Sequence, residues 1–204
     1  MEIRLENEND YREVEELVRD SFWNVYRPGA FEHYIVHHLR DDDSFIRSLA
    51  YVVETDNKII GHINYSTGFI DYGGDKIDAV VLGPVSVDKK HQNNGVGSKL
   101  ISFTLSLAES RKIPFVLVIG DENYYHRFGF ESASNYGIFL EGTDTSDECP
   151  FFMINVFDES VLRNDLGIFH NPQVFDVDEK EVDEFDRQFE FKEKLVLDTQ
   201  LKEL

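Results

Sequence analysis

Apolar positions recur along the chain with two periods. MEIRL reads as a short strand, and Asn9 or Asp10 can then cap a helix that sets Val14, Leu17 and Val18 on one face. After the breaker pair Pro28-Gly29, the spacing of Phe31, Ile35 and Leu39 predicts a second helix. SLAYVVET and KIIGHINYSTGFI read as two strands joined at Asp56-Asn57, a hairpin-type turn. The DYGGD turn leads to a third long strand over residues 77–87. Val96, Leu100, Ile101, Phe103, Leu105 and Leu107 mark a mostly buried helix ending near Arg111. PFVLVIG is a continuous apolar run, as expected of a strand covered on both faces. A short helix near residues 122–127 follows, and FGFES and PFFMINVF close the sheet. Strands interleaved with helices in this order predict an α/β (α+β) architecture, a sheet with helices packed on it.

The pattern changes near Asp176, beyond which charge dominates while Val182, Phe185 and Phe189 keep helical spacing. The chain therefore divides into one domain over residues 1–175 and a charged extension over residues 176–204, expected as a docked helix or as partly disordered.

Composition narrows the class. The chain has 204 residues and 41% hydrophobic content, enough for one well-formed core. Its start, MEIRLENENDYREVEELV, has neither a basic nor an apolar leader region, and no run is long enough to span a membrane, so a cytoplasmic protein is expected. Cys149 is the only cysteine, which excludes an intrachain disulfide and a cysteine-rich zinc site. Twenty Lys and Arg stand against 40 Asp and Glu, a net charge of −20. That field argues against nucleic-acid and anionic-membrane partners and would favour a cationic one such as an amine, although solubility alone accounts for such a charge equally well. Oligomeric state is not written in the sequence, although strand edges and the tail could support a homodimer.

The candidate chemistry lies in VLGPVSVDKKHQNNGVGSKL, where a strand meets two glycines and then a helix. Glycines allow positive φ and close backbone approach, so the amides of Gln92, Asn93, Asn94, Gly95, Val96, Gly97 and Ser98 can line one concavity at the positive end of a helix. Such a nest binds a diphosphate. A P-loop would need Gly-Lys-Ser/Thr, but Gly97 is followed by Ser98 and then Lys99. A dinucleotide fingerprint would need a third glycine where Leu100 stands. Coenzyme A remains among the phosphate ligands, its pyrophosphate suiting a Gln-x-x-Gly-x-Gly turn; taken alone, the motif reads equally well as a glycine pair at a helix start.

With this turn and the downstream VIGDENYYHRFGFES, the chain resembles the GNAT superfamily of N-acetyltransferases. Their acetyl-CoA motif has the form Gln/Arg-x-x-Gly-x-Gly/Ala, and their closing element Tyr-x-x-x-Gly-Phe matches Tyr125, Gly129 and Phe130. GDENYYHRFGF, LGPVSV, EHYIVHHLR and FKEKLVLDTQ resemble the YhbS-like branch in particular, so the likeness covers nearly the whole chain. It departs at Asn93-Asn94, where a glycine followed by a basic residue is commoner.

The resemblance implies a mixed, mostly antiparallel central sheet with splayed strands and helices on both faces. It implies acetyl transfer from acetyl-CoA to a primary amine of a small-molecule or peptide acceptor, by direct attack in a ternary complex. Val85, Ser86 and Val87 would lie along the pantetheine, with backbone groups of Val85 and Val87 bonding it and an N–H near Val85 polarising the thioester carbonyl. Residues 92–98 would hold the pyrophosphate, and Asn123 would contact pantetheine. Tyr125 would be the general acid for the departing thiolate. Glu32, His33 and His62 compete with a water relay for the role of base. Phe22, Trp23, Tyr26 and Phe31 could line the acceptor pocket, core packing being the other fate of such residues. His33 and His37 stand at i and i+4, yet no third ligand and no HExxH motif accompany them, so no metal is expected. A non-catalytic acyl-CoA sensor or scaffold is the alternative.

Overall fold

The structure, a computed structural model, describes residues 1–200; the last four residues of the charged extension lie outside the described residues. In chain order the elements are β1 (Glu2–Leu5), α1 (Tyr11–Phe22), α2 (Glu32–Leu39), β2 (Tyr51–Thr55), β3 (Lys58–Ile63), β4 (Tyr65–Asp71), β5 (Lys76–Leu82), β6 (Ser86–Val87) and α3 (Val96–Ser110). There follow β7 (Phe115–Ile119), α4 (Glu122–Tyr125), β8 (Glu131–Ser132), β9 (Ile138–Leu140), β10 (Phe152–Val156), β11 (Gly167–His170) and α5 (Glu179–Asp186). The strands form two hydrogen-bonded sheets, ordered β1-β2-β3-β6 and β8-β10-β7-β5-β4-β11-β9. Pairing is mostly antiparallel, with β5·β7 and β9·β11 parallel. Contacts gather the chain into two compact units, Met1–Asn64 with Pro84–Leu100 and the chain from Gln173 onward, and Tyr65–Gly83 with Ile101–Pro172.

The first unit holds the four-stranded sheet. Asp56 and Asn57 both take positive φ (50° and 57°), as a two-residue hairpin turn between β2 and β3 requires. Successive residues of β2 face opposite ways. Val52 joins a core with Val14, Leu17 and Val18 of α1, Val36 of α2 and Ile59. Its neighbour Val53 pairs with Gly61, where a Cβ would come within 2.9 Å of Val96 and 3.1 Å of Leu100. Helices α1 and α2 thus cover one face of this sheet and the start of α3 the other. Gly61 seats that helix, since any side chain would push it off the sheet.

The cap of α1 differs from expectation. Asn7 caps a short turn over Glu8–Asp10, its Oδ1 accepting the Asn9 N–H at 3.0 Å, and the Asp10 carboxylate is engaged by Arg4 at 2.7 and 2.9 Å. The same carboxylate accepts the Asn7 N–H at 2.8 Å, so Asp10 closes a capping box with Asn7 rather than capping α1 itself.

The second unit is built on the seven-stranded sheet, whose core includes Ile70, Val81, Phe115, Leu117, Phe152, Ile154 and Phe169. Two strands expected to be continuous are broken. The run from Lys58 breaks at Asn64, and the run from Lys76 breaks over residues 83–85, where Pro84 has no N–H to give a ladder. At each break the chain leaves one sheet for the other. Consequently β6 and β7, which flank α3 in sequence, belong to different sheets.

The extension from Asp176 enters the first unit. Val182 and Phe185 of α5 are buried, and the chain beyond runs along α1 and the loop after it. There Arg12 donates to the Gln188 carbonyl at 2.7 Å, and Trp23 Nε1 and Asn24 Nδ2 both donate to the Glu193 carbonyl at 3.0 Å.

Candidate active site

Strand β6 is the edge of its sheet, and its alternation decides what faces outward. Asp88 donates its N–H to the Ile60 carbonyl at 2.9 Å, and Ser86 stands opposite His62, so both turn toward β3. Val87 between them turns away from the sheet. Its carbonyl accepts Gln92 Nε2 at 3.1 Å and Ser21 Oγ at 3.3 Å, which pins the strand end to the following turn and to α1. Val85 precedes the regular strand and is half-buried.

The turn itself is tight. Asp88 organises its start, accepting the Lys90 N–H at 2.9 Å and lying 3.0 Å from His91 Nδ1. Asn93 takes φ of 60° and Gly95 φ of 77°. Asparagine is among the side-chain-bearing residues that best tolerate this region, which is how position 93 manages without the commoner glycine. The first helical hydrogen bond runs from Lys99 N–H to the Gly95 carbonyl at 3.0 Å. The N–H groups of Val96, Gly97 and Ser98 therefore lie ahead of the ladder and leave through the positive end of α3. Gln92, Asn93, Asn94 and Gly95 are exposed and Ser98 half-buried, so this donor-lined turn is open to an anion and fits a diphosphate.

Tyr125 and Asn123 lie in the second unit. Asp121 caps α4 by accepting the Asn123 N–H at 3.0 Å, and the Asn123 side chain donates to the same carboxylate oxygen at 3.1 Å. Asn123 is exposed. Tyr125 is half-buried, and its ring stands edge-on to Phe130 with centroids 5.6 Å apart. The same ring occupies the space beside Gly120, where a Cβ would fall 2.5 Å from Tyr125 Cε2. Gly129 then turns the chain with φ of 87°, beneath Asn155, whose Nδ2 donates to the Phe128 carbonyl at 2.7 Å. Gly120 was not singled out in the sequence; a glycine closing an apolar strand just before a helix cap was its only signal.

The candidate bases have very different surroundings. Glu32 begins α2, half-buried, its Oε2 accepting the Phe31 N–H at 3.0 Å. Burial raises its carboxyl above the ordinary range, while the backbone donors and Arg27 pull it back. His33 has no exposed surface. Its Nε2 lies 3.2 Å from Asp186 Oδ1, and Phe185 and Phe189 pack on the ring at 5.6 and 5.3 Å. Burial pushes it down to about 4. The ring is sealed under the C-terminal segment, which weighs against His33 as the base. His62 is equally closed, 3.7 Å from Glu6 Oε1 and pushed down to about 3 by burial and Arg40.

The histidine pair of α2 does not converge either, since His37 Nδ1 meets Glu15 Oε1 at 2.8 Å. Among the described residues no group of three or more His, Cys, Asp or Glu is placed to hold a metal. Of the four aromatics, Phe22 packs on the first unit's core, Trp23 lies under Arg19 at 4.2 Å and Phe31 under Arg27 at 4.0 Å, while Tyr26 stays exposed. The contacts of the C-terminal segment with Trp23 and Asn24 had no sequence signal, because they join residues about 170 positions apart.

No helix among the described residues is long and apolar enough to cross a membrane. Comparison with known proteins places the chain in a family. The acetyltransferase (GNAT) domain family matches residues 2–133. The uncharacterised N-acetyltransferase YhbS of Escherichia coli (strain K12) is 28% identical over 138 residues, 68% of this chain and 78% of that protein. The crystal structure of Escherichia coli YhbS in complex with CoA is similar with a TM-score of 0.73 at 25% identity, over 86% of this chain and 92% of that one. A GNAT family acetyltransferase from Brucella melitensis, in complex with acetyl-CoA, is similar with a TM-score of 0.67 at 27% identity, over 85% and 97%. The chain accordingly belongs to the GNAT acetyltransferase family, N-acetyltransferases that draw their acetyl group from acetyl-CoA.

Proposed function

We propose that this protein transfers acetyl from acetyl-CoA to a primary amine of its acceptor, by direct attack while both are bound. The observation that carries the reading is the outward-facing edge of β6 running straight into a turn of free-standing amides at the head of α3. Bound acetyl-CoA supplies an acyl group activated as a thioester. The chain's part is to hold and polarise it. Backbone groups of Val85 and the N–H of Val87 extend the sheet edge along the pantetheine, with Ser86 turned back to β3 between them and the Val87 carbonyl kept by Gln92 and Ser21. Gln92 keeps the strand end and the turn in register, and amides of residues 93–98 take the diphosphate, a reading supported by the CoA complex of the similar Escherichia coli YhbS. Asn123 is assigned to the pantetheine by the family resemblance alone.

Tyr125 serves as the general acid, giving the phenolic proton to the departing sulfur. Its ring packs in the space left by Gly120 and edge-on to Phe130, which orients the phenol. Glu32 is the best-supported base, because a carboxyl raised by burial is a better proton acceptor at neutral pH than an ordinary one. Its ionised form is the working one, so turnover rises as pH climbs through its raised pKa.

The test is thiol release from acetyl-CoA across amines of several classes, read beside thermal stabilisation by acetyl-CoA. Tyr125→Phe should lower kcat by about 10²-fold or more and change acetyl-CoA affinity little. Unchanged kcat rejects the acid role. Strong stabilisation without thiol release on any amine rejects catalysis in favour of an acyl-CoA sensor.

A further inference from the structure

Asn94-Gly95 is the chain's only Asn-Gly step, and it lies in the turn that leads into α3. We propose that this step is a self-modifying site: Asn94 converts to aspartate and isoaspartate without an enzyme, and the conversion disables the turn as an anchor for acetyl-CoA. The consequence for binding rests on the function proposed above. The modification itself does not.

Both residues are exposed, and the Asn94 side chain makes no hydrogen bond among the described residues. A Cβ built on Gly95 meets no group beyond its chain neighbours within 4 Å, so the space beside this residue is open. That nitrogen also precedes the first helical hydrogen bond, which ends on the Gly95 carbonyl rather than beginning at its N–H. The left-handed φ at Asn93 and at Gly95 folds the chain sharply on either side of Asn94. Asn93 is exposed as well, but the residue after it carries a side chain that crowds the approach.

The Gly95 amide, once it has given its proton to hydroxide, attacks Cγ of Asn94. A bond forms between that nitrogen and Cγ while the Cγ–Nδ2 bond breaks, and Nδ2 leaves as ammonia with a proton from water. Water then adds to one carbonyl of the cyclic imide and opens it. Opening at the main-chain carbonyl gives isoaspartate; opening at the side-chain carbonyl gives aspartate. Either product places a carboxylate among amides that face an anion, and isoaspartate also lengthens the main chain by one methylene. A new negative charge beside a phosphate weakens binding by roughly tenfold or more at the effective dielectric of a protein surface.

The experiment ages the purified chain at mildly alkaline pH, with and without acetyl-CoA, and follows the peptide that carries residue 94. The expected result is the mass gain of replacing an amide NH2 by OH, with isoaspartate detected by methyl transfer to its carboxylate. It should be slower with acetyl-CoA present and absent from Asn94→Ala. Thermal stabilisation by acetyl-CoA should weaken in step with conversion, and the encoded variant Asn94→Asp should show at least about tenfold weaker affinity from the start. A free peptide of the same sequence that converts while the folded chain does not would overturn the modification. Conversion with unchanged acetyl-CoA affinity, in the aged chain and in Asn94→Asp alike, would overturn its consequence and remove the turn from the cofactor site.

Discussion

A methyl group at Gly120 would sit 2.5 Å from Tyr125 Cε2, well inside any tolerated contact. The ring must move to relieve that contact, and with it its edge-on packing on Phe130. Gly120→Ala is therefore expected to copy much of the Tyr125→Phe defect, with kcat lowered by about 10-fold to 10²-fold and acetyl-CoA affinity close to the parent's, since a displacement of about 1 Å is enough for such a loss. Steady-state kinetics on any accepted amine checks it; parental kcat would mean that the ring position is not critical. Tyr125 itself was legible from its spacing to Gly129 and Phe130. Gly120 was not, because a glycine at a strand end announces only a turn. The same limit explains His33, whose helical position suggested a cleft while the residues that seal it lie about 150 positions away.

At the scale of elements, periodicity found α1, α2, α3 and β7 because each buries a full stripe or a full run. It could not find the breaks at Asn64 and at residues 83–85, since an apolar strand that changes sheet keeps the same pattern on both sides. Strands β9 and β11, of three and four residues, are too short to show a period. Helix α5 was legible as an apolar spacing, but its destination was not. It closes over α1 and α2 through Asp186, which receives Arg19 Nε at 2.6 Å and Nη2 at 3.1 Å beside the His33 ring. This seam makes stability depend on pH. The folded His33 stays neutral down to about 4, whereas the unfolded ring takes its proton near its ordinary 6.5. The unfolded state thus binds more protons through that window, and stability is lost as pH falls from 6.5 toward 4. One such ring accounts for about 3 kcal/mol over the window. Denaturant unfolding of His33→Leu should show a flatter fall over that range than the parent; an equal slope would assign the effect to other groups, His62 first among them.

The charge of the whole molecule sets the conditions under which its two substrates meet it. With 40 acidic side chains against 20 basic ones, the net charge of −20 attracts a protonated amine and repels the phosphates of acetyl-CoA. The amide-lined turn draws its anion through partial charges at short range, so it does not reverse the long-range field. Salt must then act on the two substrates with opposite sign. Raising ionic strength from about 0.02 M to about 0.5 M shortens the screening length from roughly 20 Å to about 4 Å. Across that range KM for a multiply charged amine such as a polyamine should rise several-fold, whereas KM for acetyl-CoA should fall or stay level. Steady-state kinetics with each substrate varied in turn separates this from simple inactivation by salt, which would move both in the same direction. Two parallel rises would show that the acidic surface serves solubility and leaves the encounter with the acceptor to the site itself.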